Sequence, residues 1–138
     1  MSDKVRAAML SFAHVHAEGY AKQAMANENI DLLAVWDEDE YGGREGAERH
    51  GLDFHEDLDE LLARDDIDAV IVNAITSDHP KVMIAAAKAG KHIFTEKALA
   101  ITVAECDPII DAVDAAGVKF IISLPSRSRS GILLAKKA

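Results

Sequence analysis

Short apolar runs alternate with amphipathic stretches along the whole chain. Val5–Leu10 is the first run, apolar apart from Arg6. Behind it Ala17, Tyr20, Ala21 and Ala24 recur at helical spacing, which predicts a helix with one apolar face. Ile30–Trp36 predicts a second strand, closed by Asp37. Residues 38–43 are acidic and Gly-rich and read as a loop, 44–50 as a helix, and 52–55 as a short strand after Gly51. Asp57 is placed to cap a short helix carrying Leu58, Leu61 and Leu62. Ala69–Val72 is a buried-strand run. Val82, Ala85, Ala86 and Ala89 form the next helical stripe, and Gly90 stands where a helix end favours a left-handed residue. His92–Thr95 predicts a fifth strand. Thr102 then caps a helix with the stripe Val103, Cys106, Ile110 and Val113, Gly117 ends it, and 119–123 predict a sixth strand.

Strands alternating with helices in this way imply an α/β fold, a doubly wound parallel sheet of about six strands covered on both faces. A chain of 138 residues fits one such domain. Residues 1–125 are assigned to it. Residues 126–138, Ser/Arg-rich and then Ile132, Leu133 and Leu134, read as a linker and the start of a further domain. Aromatics are only 5% while hydrophobic residues are 49%, so small side chains let helices lie close to the sheet. The net charge of −9 argues against a nucleic-acid backbone or an anionic membrane as partner. The single cysteine, Cys106, excludes an intrachain disulfide and reads as a packing residue. No leader-like segment opens the chain and no apolar run reaches the ~20 residues of a membrane span. A soluble, cytoplasmic protein is the expectation.

In a doubly wound sheet ligands bind beyond the C-terminal strand ends, where the strand order reverses. The first turn reads Ser11, Phe12, Ala13, His14, Val15, His16. A dinucleotide fingerprint would place Gly at 11, 13 and 16, and all three are absent. Ser11 and Ala13 are small enough for a pyrophosphate to approach the backbone, and the helix that follows would offer N–H groups and a favourable dipole. Asp37, ending the second strand, suits an adenosine ribose and would repel a 2′-phosphate, which favours NAD over NADP. It equally suits the opening of an acidic loop with Glu38, Asp39 and Glu40. His14, His16 and His79 are candidates for a metal or for the polar lining of a cleft. No carboxylate or cysteine pattern joins them in sequence, so no metal is assigned. At the end of the fifth strand Glu96 and Lys97 would lie beside a nicotinamide. There Lys97 could donate to a substrate oxygen, or form a surface ion pair.

The stretch 68–100 resembles, without a gap, a segment of the Gfo/Idh/MocA oxidoreductases, the glucose-fructose oxidoreductase and inositol dehydrogenase relatives. The residues that carry the likeness are Asp68, Ala69, Val70, Ile71 and Val72, then His79, then Ala89, Gly90, Lys91 and His92, then Glu96 and Lys97. Aligned more loosely, it covers 4 to about 130.

The resemblance implies an N-terminal Rossmann domain that binds NAD or NADP. It also implies a C-terminal α/β domain that completes the substrate site and usually forms the oligomer. It implies Lys97 as the lysine of a Glu-Lys-Pro motif beside nicotinamide and substrate, Asp37 as the ribose acid, and Arg127 as an arginine after the sixth strand. Ser11, Phe12, Ala13, His14, Val15, Ala74, Ile75, His79 and Glu96 are the further cofactor-site positions. A sugar, polyol or similar hydroxylated compound is the implied substrate, a homo-oligomer the implied assembly, and this stretch alone is not expected to turn over. The alternatives are a non-enzymatic dinucleotide-sensing or Rossmann-like regulatory protein, and a structural Rossmann-like module that binds no nucleotide. This sequence departs from the family at the glycine turn, at Ala74-Ile75 where a Thr-Pro is usual, and at Ala98 in place of Pro.

Overall fold

The computed structural model describes residues 4–125; Arg127 and the tail 126–138 lie outside them. Six strands, β1 (Val5–Leu10), β2 (Ile30–Trp36), β3 (Asp53–His55), β4 (Ala69–Val72), β5 (His92–Thr95) and β6 (Phe120–Ile122), pair in the order β3-β2-β1-β4-β5-β6. Every pairing is parallel. The chain therefore starts in the middle, builds outward to β3, and crosses back to β4 on the other side of β1. That reversal leaves an opening at the C-terminal ends of β1 and β4.

Alternation along β1 splits the core into two layers. Ala8 and Leu10 face the buried cluster formed with Leu61, Leu62, Val82, Met83, Ala86, Ile109 and Val113, so α3 (Leu58–Leu62), α4 (His79–Lys88) and α5 (Val103–Ala116) cover that face. Ala7 and Met9 face Ala17, Ala21, Ala24 and Ala47, so α1 (Ala17–Ala26) and α2 (Glu40–His50) cover the other. Alanines dominate the contact because their short side chains bring helix and sheet together.

The caps behave as their side chains dictate. Asp57 accepts the Glu60 N–H at 2.9 Å, and Thr102 with Glu105 forms a reciprocal capping box. Gly90 and Gly117 close their helices with φ of 74° and 65°. Lys91 explains its place in the family-like run. Its buried ammonium donates to the carbonyls of Arg64 at 2.7 Å and Ile67 at 2.9 Å, tying the segment after α3 to the start of β5.

Three local readings are corrected. Residues 38–43 are not wholly loop, because α2 begins at Glu40. Its glycines are tolerated because the helix lies too close to its neighbours for side chains. A Cβ at Gly43 would stand 2.5 Å from the Asp37 Cβ and 2.6 Å from the Phe54 ring, and one at Gly46 2.7 Å from the Phe12 ring. The stripe on α5 is also displaced. Ile109 and Val113 are buried, whereas Val103 and Ile110 face solvent. On α4 the buried face is Val82, Met83, Ala86 and Ala87, one step round from the predicted stripe. Among the described residues no helix is long and apolar enough to cross a membrane.

Candidate functional site

The β1–α1 turn sits over the reversal point. Ser11 takes the position of the first fingerprint glycine and adopts a conformation that favours glycine, with φ 76°, the only positive φ outside glycine among the described residues. Its buried hydroxyl compensates for the conformation. Oγ donates to Asp37 Oδ1 at 3.1 Å and accepts the Ala13 N–H at 3.0 Å. Asp37, buried at the end of β2, also accepts the Phe12 N–H at 2.7 Å through Oδ2 and the Asp39 N–H at 3.0 Å through Oδ1. It organises the turn from within. The His14 N–H donates to the Asn73 carbonyl at 3.0 Å, which fastens the turn to the end of β4.

From Ser11 to Ala17, Val15 is the one residue whose backbone N–H has no partner among the described residues. Its side chain is 86% exposed. Phe12 turns away from the opening and stacks on His50, with ring centroids 5.9 Å apart.

The end of β5 meets the same turn. Glu96 is only 2% exposed and points inward. It accepts from the Tyr20 hydroxyl, lies 2.9 Å from His16 Nδ1, and accepts the Lys97 N–H at 3.0 Å. Tyr20 in turn reaches Ser123 Oγ at 2.8 Å. Burial pushes the Glu96 carboxyl up, but the bonds from Tyr20, His16 and the Lys97 N–H outweigh it and hold it below the ordinary carboxylate value. Burial and the neighbouring Glu96 carboxylate raise the Tyr20 phenol. Burial lowers His14, against the pull of Glu96.

Lys97 diverges from Glu96. Its side chain is exposed, and its ammonium has no partner among the described residues, so the surface ion pair weighed from sequence is not formed there. The Lys97–Ala98 peptide bond is cis.

The turn, Asp37, Ala74, Ile75, Glu96 and Lys97 thus stand together at the C-terminal edge of the sheet. His79 does not face it. Buried on α4, it braces two loops from beneath, with Nδ1 3.0 Å from the Leu99 carbonyl and Nε2 3.1 Å from the Ala74 carbonyl. Sequence reasoning missed Tyr20, read as a core position, and Asn73. The Asn73 side chain is buried at the end of β4 and its Oδ1 has no partner among the described residues. An unpaired buried amide oxygen costs about 1–3 kcal/mol. The left-handed Ser11 and the small Ala13 and Ala74 are compatible with a dinucleotide backbone approaching this turn.

Residues 10–124 match the family model described as an oxidoreductase family with an NAD-binding Rossmann fold. The chain belongs to the Gfo/Idh/MocA oxidoreductase family. Among similar proteins, 2,7-anhydro-N-acetylneuraminate hydratase of Mediterraneibacter gnavus is 33% identical over 110 residues, 80% of this chain and 29% of that protein. Myo-inositol 2-dehydrogenase of Thermotoga maritima is 36% identical over 105 residues, 75% of this chain and 30% of that protein.

A solved structure, described as a putative NADPH-dependent oxidoreductase from Desulfitobacterium hafniense, superposes with a TM-score of 0.90 at 24% identity. It covers 99% of this chain and 39% of that one, and bears on the fold. The chain thus spans roughly 30% of the length of the two protein relatives. Within the family it corresponds to the NAD-binding domain. The non-enzymatic reading finds no support in these relatives.

Proposed function

We propose that this Gfo/Idh/MocA chain is the cofactor-binding half of an NAD-dependent oxidoreductase acting on a sugar, polyol or similar hydroxylated compound. When bound, the nicotinamide would accept or donate a hydride at a substrate carbon. The observation that carries the reading is Lys97. It is an exposed ammonium without a partner among the described residues, at the end of β5, on the same C-terminal sheet edge as the left-handed Ser11 turn.

Lys97 would donate a hydrogen bond or its proton to the substrate oxygen as charge develops there. Glu96, tied down by Tyr20 and His16, fixes the backbone from which Lys97 projects. Asp37 holds the turn, and with Glu38 puts two carboxyl groups at the end of β2, where a 2′-phosphate would be repelled. Ser11, Ala13, Val15, Ala74 and Ile75 would line the dinucleotide path.

The site for a small-molecule substrate would be completed by the part of the relatives that this chain does not match, and the working assembly would be a cytoplasmic homo-oligomer. Calorimetric titration with NAD, NADH, NADP and NADPH tests the cofactor. NAD or NADH should bind at least tenfold more tightly than the phosphorylated forms. No binding of any of the four at millimolar concentration refutes the reading, and a preference for NADP refutes the part given to Asp37 and Glu38.

A further inference from the structure

We propose that His14, His16 and Glu96 form a binding site for a divalent transition-metal ion of the zinc, cobalt or nickel class. The three side chains each offer a ligand atom, and these atoms lie within 4.8 Å of one another. Metal bonds of roughly 2.0–2.2 Å to histidine nitrogen and carboxylate oxygen set neighbouring ligands about 3–3.5 Å apart. His16 Nδ1 and Glu96 Oε1, at 2.9 Å, already stand at about that spacing. The His14 and His16 rings meet edge-on with centroids 4.9 Å apart, so His14 stands beside the His16–Glu96 pair.

The site is supported from behind. Glu96 is 2% exposed, and its orientation is fixed by the Tyr20 hydroxyl and by the Lys97 N–H at 3.0 Å. Tyr20 is itself held by Ser123 at 2.8 Å and packs edge-on against Phe94. A carboxylate oriented in this way by outer partners is what a metal ligand requires. The turn holds the backbone of both histidines. The His14 N–H is bonded to Asn73, and the His16 N–H donates to His14 Nδ1 at 3.2 Å, a long bond that ligation would replace.

Two imidazoles and one carboxylate favour zinc, cobalt, nickel or ferrous iron over magnesium or calcium, which prefer all-oxygen sites. His16 is 57% exposed, so the remaining coordination positions face solvent at the rim and would hold water. An ion here would clamp the β1–α1 turn to the end of β5, two segments 80 residues apart in the chain. The inference shares Glu96 and the turn with the dinucleotide reading, but its test needs no nucleotide.

The test is a titration of the metal-free 138-residue chain, carrying no histidine tag, with Zn²⁺ and with Co²⁺, the latter followed by visible absorption. The expected result is one ion per chain, unaffected by excess Mg²⁺. His14→Ala, His16→Ala and Glu96→Gln should each weaken binding at least tenfold, and Tyr20→Phe about tenfold through the looser carboxylate. His92→Gln, remote on β5, should leave affinity unchanged.

Circular dichroism establishes that each variant is folded. His16→Ala, at an exposed position, keeps the test decisive where Glu96→Gln does not fold. Failure of the parent chain to bind either ion below about 1 mM overturns the proposal. So does equal affinity in the His14→Ala or His16→Ala variant.

Discussion

Ser11 holds a side chain in a left-handed backbone conformation, φ 76°, that only glycine adopts at no steric cost. Comparing Ser11→Gly with Ser11→Ala isolates that conformation, because both variants delete Oγ and its bonds to Asp37 and Ala13. A left-handed residue with a Cβ is strained by about 1–2 kcal/mol relative to glycine. Glycine loses more backbone entropy on folding, which returns about 0.4–1 kcal/mol of that advantage. The glycine variant should therefore be the more stable of the two by roughly 1 kcal/mol, about a fivefold difference in the folding equilibrium.

Both should lie below the parent chain. Two bonds at a fully buried hydroxyl are lost, one of them to a carboxylate, and the Ala13 N–H is left without its partner. Urea unfolding followed by circular dichroism reads the difference as a shift in midpoint at constant slope. An alanine variant as stable as the glycine variant, or more so, would refute the left-handed assignment and with it the claim that Ser11 substitutes for the fingerprint glycine.

Gly43→Ala should destabilise the domain by about 1–3 kcal/mol, because the new Cβ meets Asp37 and Phe54 with no room to move; a neutral result in urea unfolding would place α2 farther from β2. Lys91→Met removes a buried ammonium from two carbonyls and should cost about 2–3 kcal/mol by the same assay, and a loss under about 0.5 kcal/mol would show those carbonyls to be hydrated. Asp68 is held at about 2 against an ordinary 3.8, chiefly by the Arg6 guanidinium and then by the Arg6 N–H. Its folded value is depressed, so its stabilisation is complete above about pH 4 and is lost as pH falls through about 2. The side chain is 35% exposed, so screening reduces the effect to about 1 kcal/mol. The gap in urea midpoint between the parent chain and Asp68→Asn should shrink steadily between pH 4.5 and about 2.5, and a gap that grows instead would refute the sign.

The order of strands and helices was legible because buried parallel strands are continuous apolar runs and helix ends carry their own capping chemistry. Asp57, Thr102, Gly90 and Gly117 stand where the caps form. Helix faces were less legible. On α5 and α4 the alanines and β-branched residues on several sides gave competing stripes, and only packing against the neighbouring elements chose between them. The start of α2 was hidden by its own glycines, which oppose a helix locally and are required by the close approach of Asp37, Phe54 and Phe12.

At the opening, the family-like Glu96-Lys97 pair and Asp37 could be named from the sequence, but their directions could not. Folding turns Glu96 inward and Lys97 outward, and spends the oxygens of Asp37 on the turn itself. The sequence by itself determined which segments form the sheet and which carry polar groups to its C-terminal edge, since both follow from local periodicity. Only the tertiary structure decided that Glu96 meets His16 and Tyr20 and that the Asn73 oxygen has no partner among the described residues, because strand order joins residues that no local pattern relates.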